Sequence, residues 1–482
     1  MSEIKVNKIT PRAACGTTQL GDSGDTITIP SGATITNLGT ATGFGGTGVV
    51  SWDTASIKTT GFTAVTGTGY FCNTTGGIFT VTLPLSPAAG AVVGVADYAQ
   101  TFDTNNLTLG RNSSNIGGVA LDSVISTEGI AVTLVYVDGT KGWIVTDSGN
   151  QSDAPLPTYV AATGGCITTC GNFKMHTFLS PNTFTVCCAG NGAGSNTVDY
   201  LVVAGGGGGG GNLSGGGGGG GFRFTATTYC APVATDPRAG PAAITVNATG
   251  YPIQVGGGGG GVIGCVDTKG TKGSDSIFDS ITSTGGGGGG SGNSPRPSNL
   301  GDPGGSGGGP TGYVISTCTG AGNTPVVSPS QGFPGGIMSP TGGGPGYAAA
   351  GGGGAGVAGT NGASSGAAGP GGDGLQINTC GTDYYYSGGG GGGSYNASPK
   401  GGDGGNGGGG GGNACTPASA SPGGPGRNTG GAGGPTPGVG AVAGGAGGLN
   451  TGGGGGGSAH CGGAAPGGAG GSGIVIIRYR YQ

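Results

Sequence analysis

Seven uninterrupted glycine runs, each six or seven residues long, constrain the fold of this chain more than any other feature. They occupy 205–211, 215–221, 256–261, 285–290, 388–393, 407–412 and 452–457. Glycine loses more conformational entropy on folding than any other residue, so a fold that repeats it this often must require the absence of a side chain. All-glycine strands with three residues per turn meet that requirement, because they can pack side by side and bond to one another. The runs therefore predict a bundle of polyglycine II strands joined by loops.

Composition alone leaves a second interpretation open. Glycine and proline number 132 and 28 of the 482 residues, and without a three-residue period such a composition is also typical of low-complexity disorder. Patterned apolar segments at both ends of the glycine region favour order instead. They are 198–204 (VDYLVVA) and 474–481 (IVIIRYRY), and they predict paired strands that close the glycine region.

The rest of the chain predicts short strands and turns and no helix longer than a turn or two, so the expected fold class is all-β. Residues 1–50 carry a thin apolar face and predict a β-stalk that attaches the chain and that three copies would share. Residues 51–150 predict a β-sandwich and 151–158 a linker. Residues 159–482 predict a small β-sandwich that carries the polyglycine II bundle and is closed by strand 474–481.

Several strands are specific enough to be placed from the sequence. In the first sandwich they are 79–84, 91–96 and 131–137, the last forming a hairpin with 142–146, and Trp52 or Trp143 is expected in the core. In the second they are 176–178, 183–186, 221–224, 243–246, 251–255 and 276–281. After about residue 285 apolar patterning almost disappears until Gly473, so loops between glycine strands are expected there.

Charge and hydropathy exclude some classes of partner. Charged residues make up 7% of the chain and its net charge is −4, so no basic surface for nucleic acid is expected. The sequence contains no run of about 18 apolar residues, which is the length needed to span a membrane. The first residues also lack the apolar core of a signal peptide. We therefore expect synthesis in a cytoplasm.

The twelve cysteines leave alternatives open. Six of them fall singly between glycine runs, where they could form disulfide staples or stay buried as thiols: Cys230, Cys265, Cys318, Cys380, Cys415 and Cys461. A second group resembles a zinc site only loosely, because its spacing is irregular: Cys166, Cys170, His176, Cys187 and Cys188. No metal or other cofactor is predicted.

Enzymatic motifs are nearly absent. The chain contains two histidines, and its many Gly-x-Gly-x-x-Gly matches arise from composition. A glycosidase would need two acids in one cleft, and the available ones lack a pattern: Asp97, Asp103, Asp122 and Glu128. We therefore predict that the protein is not an enzyme.

Tyrosines give a better signal for binding, because they concentrate where the glycine runs stop. A tyrosine offers a flat face and a hydroxyl at low entropic cost, which suits contact with a sugar or a protein loop. The predicted receptor-binding residues are Asp383, Tyr384, Tyr385 and Tyr386 in one segment, with Tyr229 and Tyr395. The alternative is that these tyrosines pack over the sides of the bundle.

Three stretches together resemble tail-fibre proteins of tailed bacteriophages, particularly marine phages of cyanobacteria and Pelagibacter-type hosts. They are the N-terminal 1–9 with 20–35, the module around 73–77 and 81–84, and 198–206 with 473–479. The glycine region also resembles the distal adhesin of T-even-type phages, in which a polyglycine II sandwich presents variable loops to the host receptor.

This resemblance implies a homotrimeric fibre in the virion tail, assembled in the host cytoplasm. Its N-terminus would bind other tail proteins, and its glycine domain would bind a host surface polysaccharide or outer-membrane protein without covalent chemistry. A purely structural virion appendage is the alternative, and a glycan-degrading tail spike is a further one.

Overall fold

The computed structural model describes most of the chain after residue 49, with several internal gaps. The described residues are 50–150, 157–225, 243–263, 268–292, 299–313, 317–338, 347–363, 367–395, 400–414, 420–434, 443–459 and 465–482. Residues 1–49 of the predicted stalk, 1–50, and most of the predicted linker, 151–158, lie outside them. The described residues form β-sheets and no α-helix, so the fold is all-β as predicted. Accordingly, none of them belongs to a helix long and apolar enough to cross a membrane.

The chain divides into two compact units, Met1–Pro155 and Leu156–Gln482. Nine strands lie in the first unit: β1 (Ser51–Lys58), β2 (Phe62–Thr63), β3 (Thr68–Cys72), β4 (Phe79–Thr82), β5 (Val92–Asp97), β6 (Leu107–Gly110), β7 (Ser123–Ile125), β8 (Ile130–Tyr136) and β9 (Trp143–Asn150).

The first unit is built from two sheets, β1-β3-β5-β8-β9 and β2-β4-β6-β7. Strands β1 to β6 alternate between the sheets, so that neighbours within a sheet are parallel, and β7, β8 and β9 pair antiparallel. Apolar residues of both sheets meet in one core, which includes Val81, Leu107 and Leu134. Trp143 is fully buried there, whereas Trp52 is 37% exposed. The predicted hairpin is confirmed as β8 and β9.

The second unit contains thirteen strands among its described residues: β10 (Val160–Thr163), β11 (Cys166–Cys170), β12 (Phe173–Phe178), β13 (Asn182–Ala189), β14 (Thr197–Val203), β15 (Phe222–Phe224), β16 (Ile244–Thr245), β17 (Gly250–Gln254), β18 (Ser276–Phe278), β19 (Ile281–Ser283), β20 (Leu375–Thr379), β21 (Thr382–Tyr386) and β22 (Ile474–Arg480).

These strands make a three-layered base for the glycine bundle. Sheet β10-β13-β17-β18-β19 packs on one face of sheet β11-β12-β22-β14-β15, and hairpin β20-β21 packs on the other face. The predicted pairing of 198–204 with 474–481 is confirmed, because β14 and β22 lie antiparallel at the centre of the second sheet. Hairpin β20-β21 lies in the region 285–473, where loops between glycine strands were expected.

The glycine runs leave this base as polyglycine II strands, as the hydrogen bonds of run 205–211 demonstrate. Every third amide, starting from Gly205, donates to residues 268–274; the next set donates to 468–471, and the third to 215–218. The partner changes with each residue and returns after three, which is the turn of this helix. Carbonyl groups of the same run accept from three further segments: 286–289, 259–262 and 455. Six neighbouring segments therefore surround the run.

The contacts between these strands leave no room for side chains. A methyl group on Gly208 would overlap the carbonyl oxygen of Gly260, and one on Gly217 would overlap that of Gly207. The interior of the bundle is therefore a lattice of backbone hydrogen bonds that only glycine can build.

Strands at the surface of the bundle follow a different rule. In 443–449 (AGGAGGL) and 466–472 (PGGAGGS) every third residue carries a side chain. The central alanines, Ala446 and Ala469, are exposed, while the glycines between are buried or half-buried. A Gly-Gly-x repeat thus marks a surface strand and an all-glycine run marks an interior one, a signal that the sequence analysis missed.

Candidate functional site

The bundle has two ends, and the chain itself identifies them. Run 205–211 continues from β14, and run 215–221 returns to β15. The turn 212–214 therefore lies at the end of the bundle furthest from the sheets. We call this the apical end.

The described parts of several other segments meet at this turn. The Gly312 amide donates to the Leu213 carbonyl, and the Gly292 amide donates to that of Asn212. Ser214 is bound to Ser458 through its backbone amide and through side-chain hydrogen bonds. Gly292, Gly312 and Ser458, which belong to three separate segments, therefore converge at the apical end.

Three tyrosines from three separate segments come together at the apical end. The ring centroids of Tyr313 and Tyr347 are 5.6 Å apart, and those of Tyr347 and Tyr395 are 6.2 Å apart. Each side chain is half-buried. The Tyr395 amide donates to the Tyr347 carbonyl at 3.3 Å, which fixes two of the three segments to each other. We name these residues the apical tyrosine cluster.

The apical tyrosine cluster has properties of a recognition surface. A tilted contact between Tyr313 and Tyr347 and an edge-to-face contact between Tyr347 and Tyr395 hold the rings in place, so little conformational entropy remains to be lost when a ligand binds. The half-exposed rings could stack on the apolar face of a sugar or pack against an apolar protein side chain. Of the predicted binding residues, Tyr395 belongs to this cluster, and Tyr229 lies outside the described residues.

The other predicted binding residues lie on β21, in the layer that covers the sheet. Tyr386 is fully buried in the apolar cluster with Leu201 and Ile474, which leaves its side chain no surface for contact with a receptor. Tyr384 and Tyr385 are half-buried, and the Arg427 guanidinium lies 5.8 Å from the ring centroid of Tyr384.

Asp383, also on β21, is exposed near the turn of the hairpin. Its carboxylate accepts a hydrogen bond of 2.7 Å from the side-chain amide of Asn378 on β20. This group is thus on the base of the unit, and the structure does not bring it together with Tyr395.

A disulfide between Cys170 and Cys380 ties hairpin β20-β21 to the end of β11. Cys380 is one of the six cysteines between glycine runs that could have formed disulfides with one another, but its partner lies in the sandwich instead. The same bond removes Cys170 from the proposed zinc group. Among the described residues, no cluster of histidine, cysteine, aspartate and glutamate could hold a metal ion.

His176, another member of that group, belongs to a buried network. Its Nδ1 lies 2.7 Å from the Gly164 carbonyl oxygen and its Nε2 lies 3.0 Å from the Tyr479 hydroxyl. Burial lowers the pKa of His176, so the imidazole is neutral at pH 7. A neutral ring donates from Nδ1 and accepts the Tyr479 hydroxyl hydrogen at Nε2. The histidine therefore joins β12 to β22 inside the sandwich.

The acids that a glycosidase would need serve turns in the first unit. The Asp97 carboxylate accepts hydrogen bonds from the backbone amides of Thr101, Phe102 and Gly129. Asp122 accepts one from the Arg111 amide. Carboxylates held in this way stabilise loops.

Comparison with known proteins identifies a family. The model of a family described as a glycine-rich domain matches residues 180–448, which is more than half of the chain. No curated protein matches this chain. The matched region contains the apical tyrosine cluster and six of the seven all-glycine runs.

Proposed function

We propose, from the premise that this chain belongs to the glycine-rich domain family, that its polyglycine bundle is a rigid adhesive tip. The protein would be a bacteriophage tail fibre that binds a host cell surface without covalent chemistry. The observation that carries the proposal is the convergence of separate segments, with the apical tyrosine cluster, at the end of the bundle opposite its base.

Physical reasoning supports a division of labour within the second unit. A lattice held by backbone bonds does not depend on the sequence of the segments that connect its strands. Those segments can therefore change to suit a receptor while the scaffold stays folded. Rigid half-exposed tyrosines suit the recognition of a polysaccharide or an outer-membrane protein.

Resemblance supports the rest of the proposal. The N-terminal stretches and the closing strands resemble tail fibres of marine phages, which implies a homotrimer attached to the virion tail through its N-terminus. Host receptor binding at the tail would then be the role of this chain. A purely structural virion appendage is the second candidate.

Binding of the fluorescently labelled full chain to a panel of marine cyanobacteria and related hosts would test the proposal. A variant with Tyr347→Ala and Tyr395→Ala alters the apical end, and one with Tyr384→Ala and Tyr385→Ala alters the base. We expect the wild type to bind at least one host, the first variant to lose about tenfold or more in affinity and the second to bind normally.

Thermal melting of each variant would establish that it is folded. If only the β21 variant loses binding, the adhesive surface lies on the base and the apical assignment is wrong. If the folded wild type binds no host in the panel, the protein is better explained as a structural appendage.

A further inference from the structure

One of the seven all-glycine runs, 256–261, breaks the rule that such runs are interior. Every residue of the other six runs is buried, whereas Gly257, Gly258 and Gly260 are exposed. The run lies at the surface of the bundle, where the other strands carry a side chain at every third position. Its sequence is that of an interior strand in a surface location.

The backbone of this run is only partly bonded. Its inner groups are paired; for example, the Gly259 amide donates to Gly206 and its carbonyl accepts from Gly470. Among the described residues, the amides of Gly257, Gly258 and Gly261 and the carbonyl groups of Gly258 and Gly261 have no partner. The direction of Gly258 and Gly261 is therefore open on the outer side. In the direction of Gly257 and Gly260 only the Gly257 amide is free, because the two carbonyl groups accept from Ser274 and Thr271 and the Gly260 amide donates to the Thr271 hydroxyl.

Packing within the described unit does not explain every glycine here. A methyl group on Gly257 would meet no atom within 4 Å, and one on Gly260 would meet only the Thr271 hydroxyl, at 3.5 Å. Glycine costs about 0.5–1 kcal/mol relative to alanine in an ordered segment, so its use at an open position needs another cause. Close approach by a backbone from outside the unit is such a cause.

The surface beside the run is apolar and concave. A groove of about 630 Å³ adjoins Gly257 beside β17 and β18, and its apolar lining residues, Pro181, Pro252, Ile253, Val255 and Ile277, outnumber the polar ones, Gln254 and Ser274. Hydrogen-bonding groups without partners thus adjoin an apolar groove. Together they resemble the exposed edge of a sheet, to which a strand from another chain can add.

We propose that this surface binds a second copy of this chain, with run 256–261 of one copy against the same run of the other. A second copy of run 256–261 offers the same free amide and carbonyl groups, and no side chain of its own would hold the two backbones apart. The other six glycine runs of the chain are already inside the bundle. The segments outside the described residues contain no more than three consecutive glycines. A second copy therefore supplies the matching strand, next to the apolar groove of each copy.

Hydrogen exchange of the intact protein, read by mass spectrometry on peptides that contain 256–263, tests this contact directly. In a separate copy the Gly257, Gly258 and Gly261 amides should exchange like those of an unstructured peptide. We expect exchange at high protein concentration to be at least about tenfold slower, and the protection to disappear on dilution.

Two matched variants locate the contact. Gly257→Arg places a long side chain in open space on the proposed surface, and Ala446→Arg places the same side chain on another surface strand. The first variant should abolish the protection and the second should retain it. Unprotected exchange of wild-type 256–263 at every concentration would overturn the proposal.

The dilution series needs no substitution, so it stands even if Gly257→Arg fails to fold. This proposal does not depend on adhesion, because the readout is exchange at one run. A protein that binds no host cell could still show the concentration-dependent protection.

Discussion

The sandwich and the glycine bundle of the second unit both have a buried interior, but different chemical groups fill the two interiors. In the sandwich, the Phe184 ring lies 5.1 Å from the ring centroid of His176 and 6.2 Å from those of Phe278 and Tyr479. Side chains fill the space between its sheets. In the bundle, most interior glycines contact only the backbones of their neighbours, and side chains lie against a few glycines near the ends of the runs, such as Ser387 beside Gly219.

This difference reverses the usual response of a core to substitution. Apolar cores fail mainly when a large residue is made smaller, because a cavity remains. The all-glycine runs of the bundle have no side chain to remove, and the bundle should instead unfold when a single methyl group is added to one of them. The comparison yields four tests, in order of decreasing effect.

The largest effect is expected from Gly217→Ala. The added methyl group would overlap the Gly207 carbonyl oxygen, and strands on all sides prevent the backbone from moving away. The free energy of unfolding should fall by at least about 4 kcal/mol, enough to prevent folding of the second unit. Gly257→Ala is the matched control and should change it by less than about 1 kcal/mol. Calorimetry of both variants checks this, and equal melting temperatures would contradict a backbone-only core.

In the sandwich, Phe184→Ala should lower the free energy of unfolding by about 3–5 kcal/mol, because the ring is fully buried among aromatic neighbours. Phe184→Leu keeps most of the volume and should cost much less. Chemical denaturation of the two variants measures the difference. If both lose the same stability, volume does not govern this core.

The bond between Cys170 and Cys380 joins residues 210 positions apart. Removing so long a cross-link raises the entropy of the unfolded chain, so Cys380→Ser should destabilise the second unit by about 2–4 kcal/mol. Reduction of the wild type should have a similar effect, while Cys318→Ser serves as a control that leaves this bond intact. A melting temperature unchanged by reductant would argue against the bond in solution.

A smaller effect concerns pH. Burial holds the pKa of His176 below the value of 6.5 that applies in the unfolded chain. The unfolded state therefore takes up a proton first as the pH falls, and stability declines from about pH 6.5 down to the lower folded-state pKa. Between pH 7 and pH 5.5 the free energy of unfolding should fall by at most about 1 kcal/mol. Denaturation at both values checks this, and His176→Gln should lack the slope even if it is less stable overall.

Local patterns were enough to predict part of this fold. Continuous apolar residues predict the strands at 198–204 and 474–481, and these strands pair as expected. Hairpin β20-β21 was missed because its apolar signal is short: Leu375 and Ile377 alternate with polar residues for only a few positions.

Long-range contacts were harder to predict for a physical reason. Whether Tyr313, Tyr347 and Tyr395 meet depends on which glycine strands are neighbours, and strands of identical sequence carry no information about that choice. Cys170, the partner of Cys380, was likewise not among the six cysteines between glycine runs. Spacing along the chain does not reveal contact between a hairpin and a distant strand.

The hydrogen bonds of run 205–211 repeat every third residue, and this repeat raises the question of alignment. If a run slid along its neighbours by three residues, each amide would face an equivalent carbonyl, so the glycines themselves cannot fix their position. The rare serines of the interior can. Ser291 bonds to the Gly211 carbonyl and Ser387 to that of Gly220, each at the end of a run. Each hydroxyl group pairs with one particular carbonyl group of a neighbouring run. A few serine side chains can therefore set the alignment that the glycines leave undetermined.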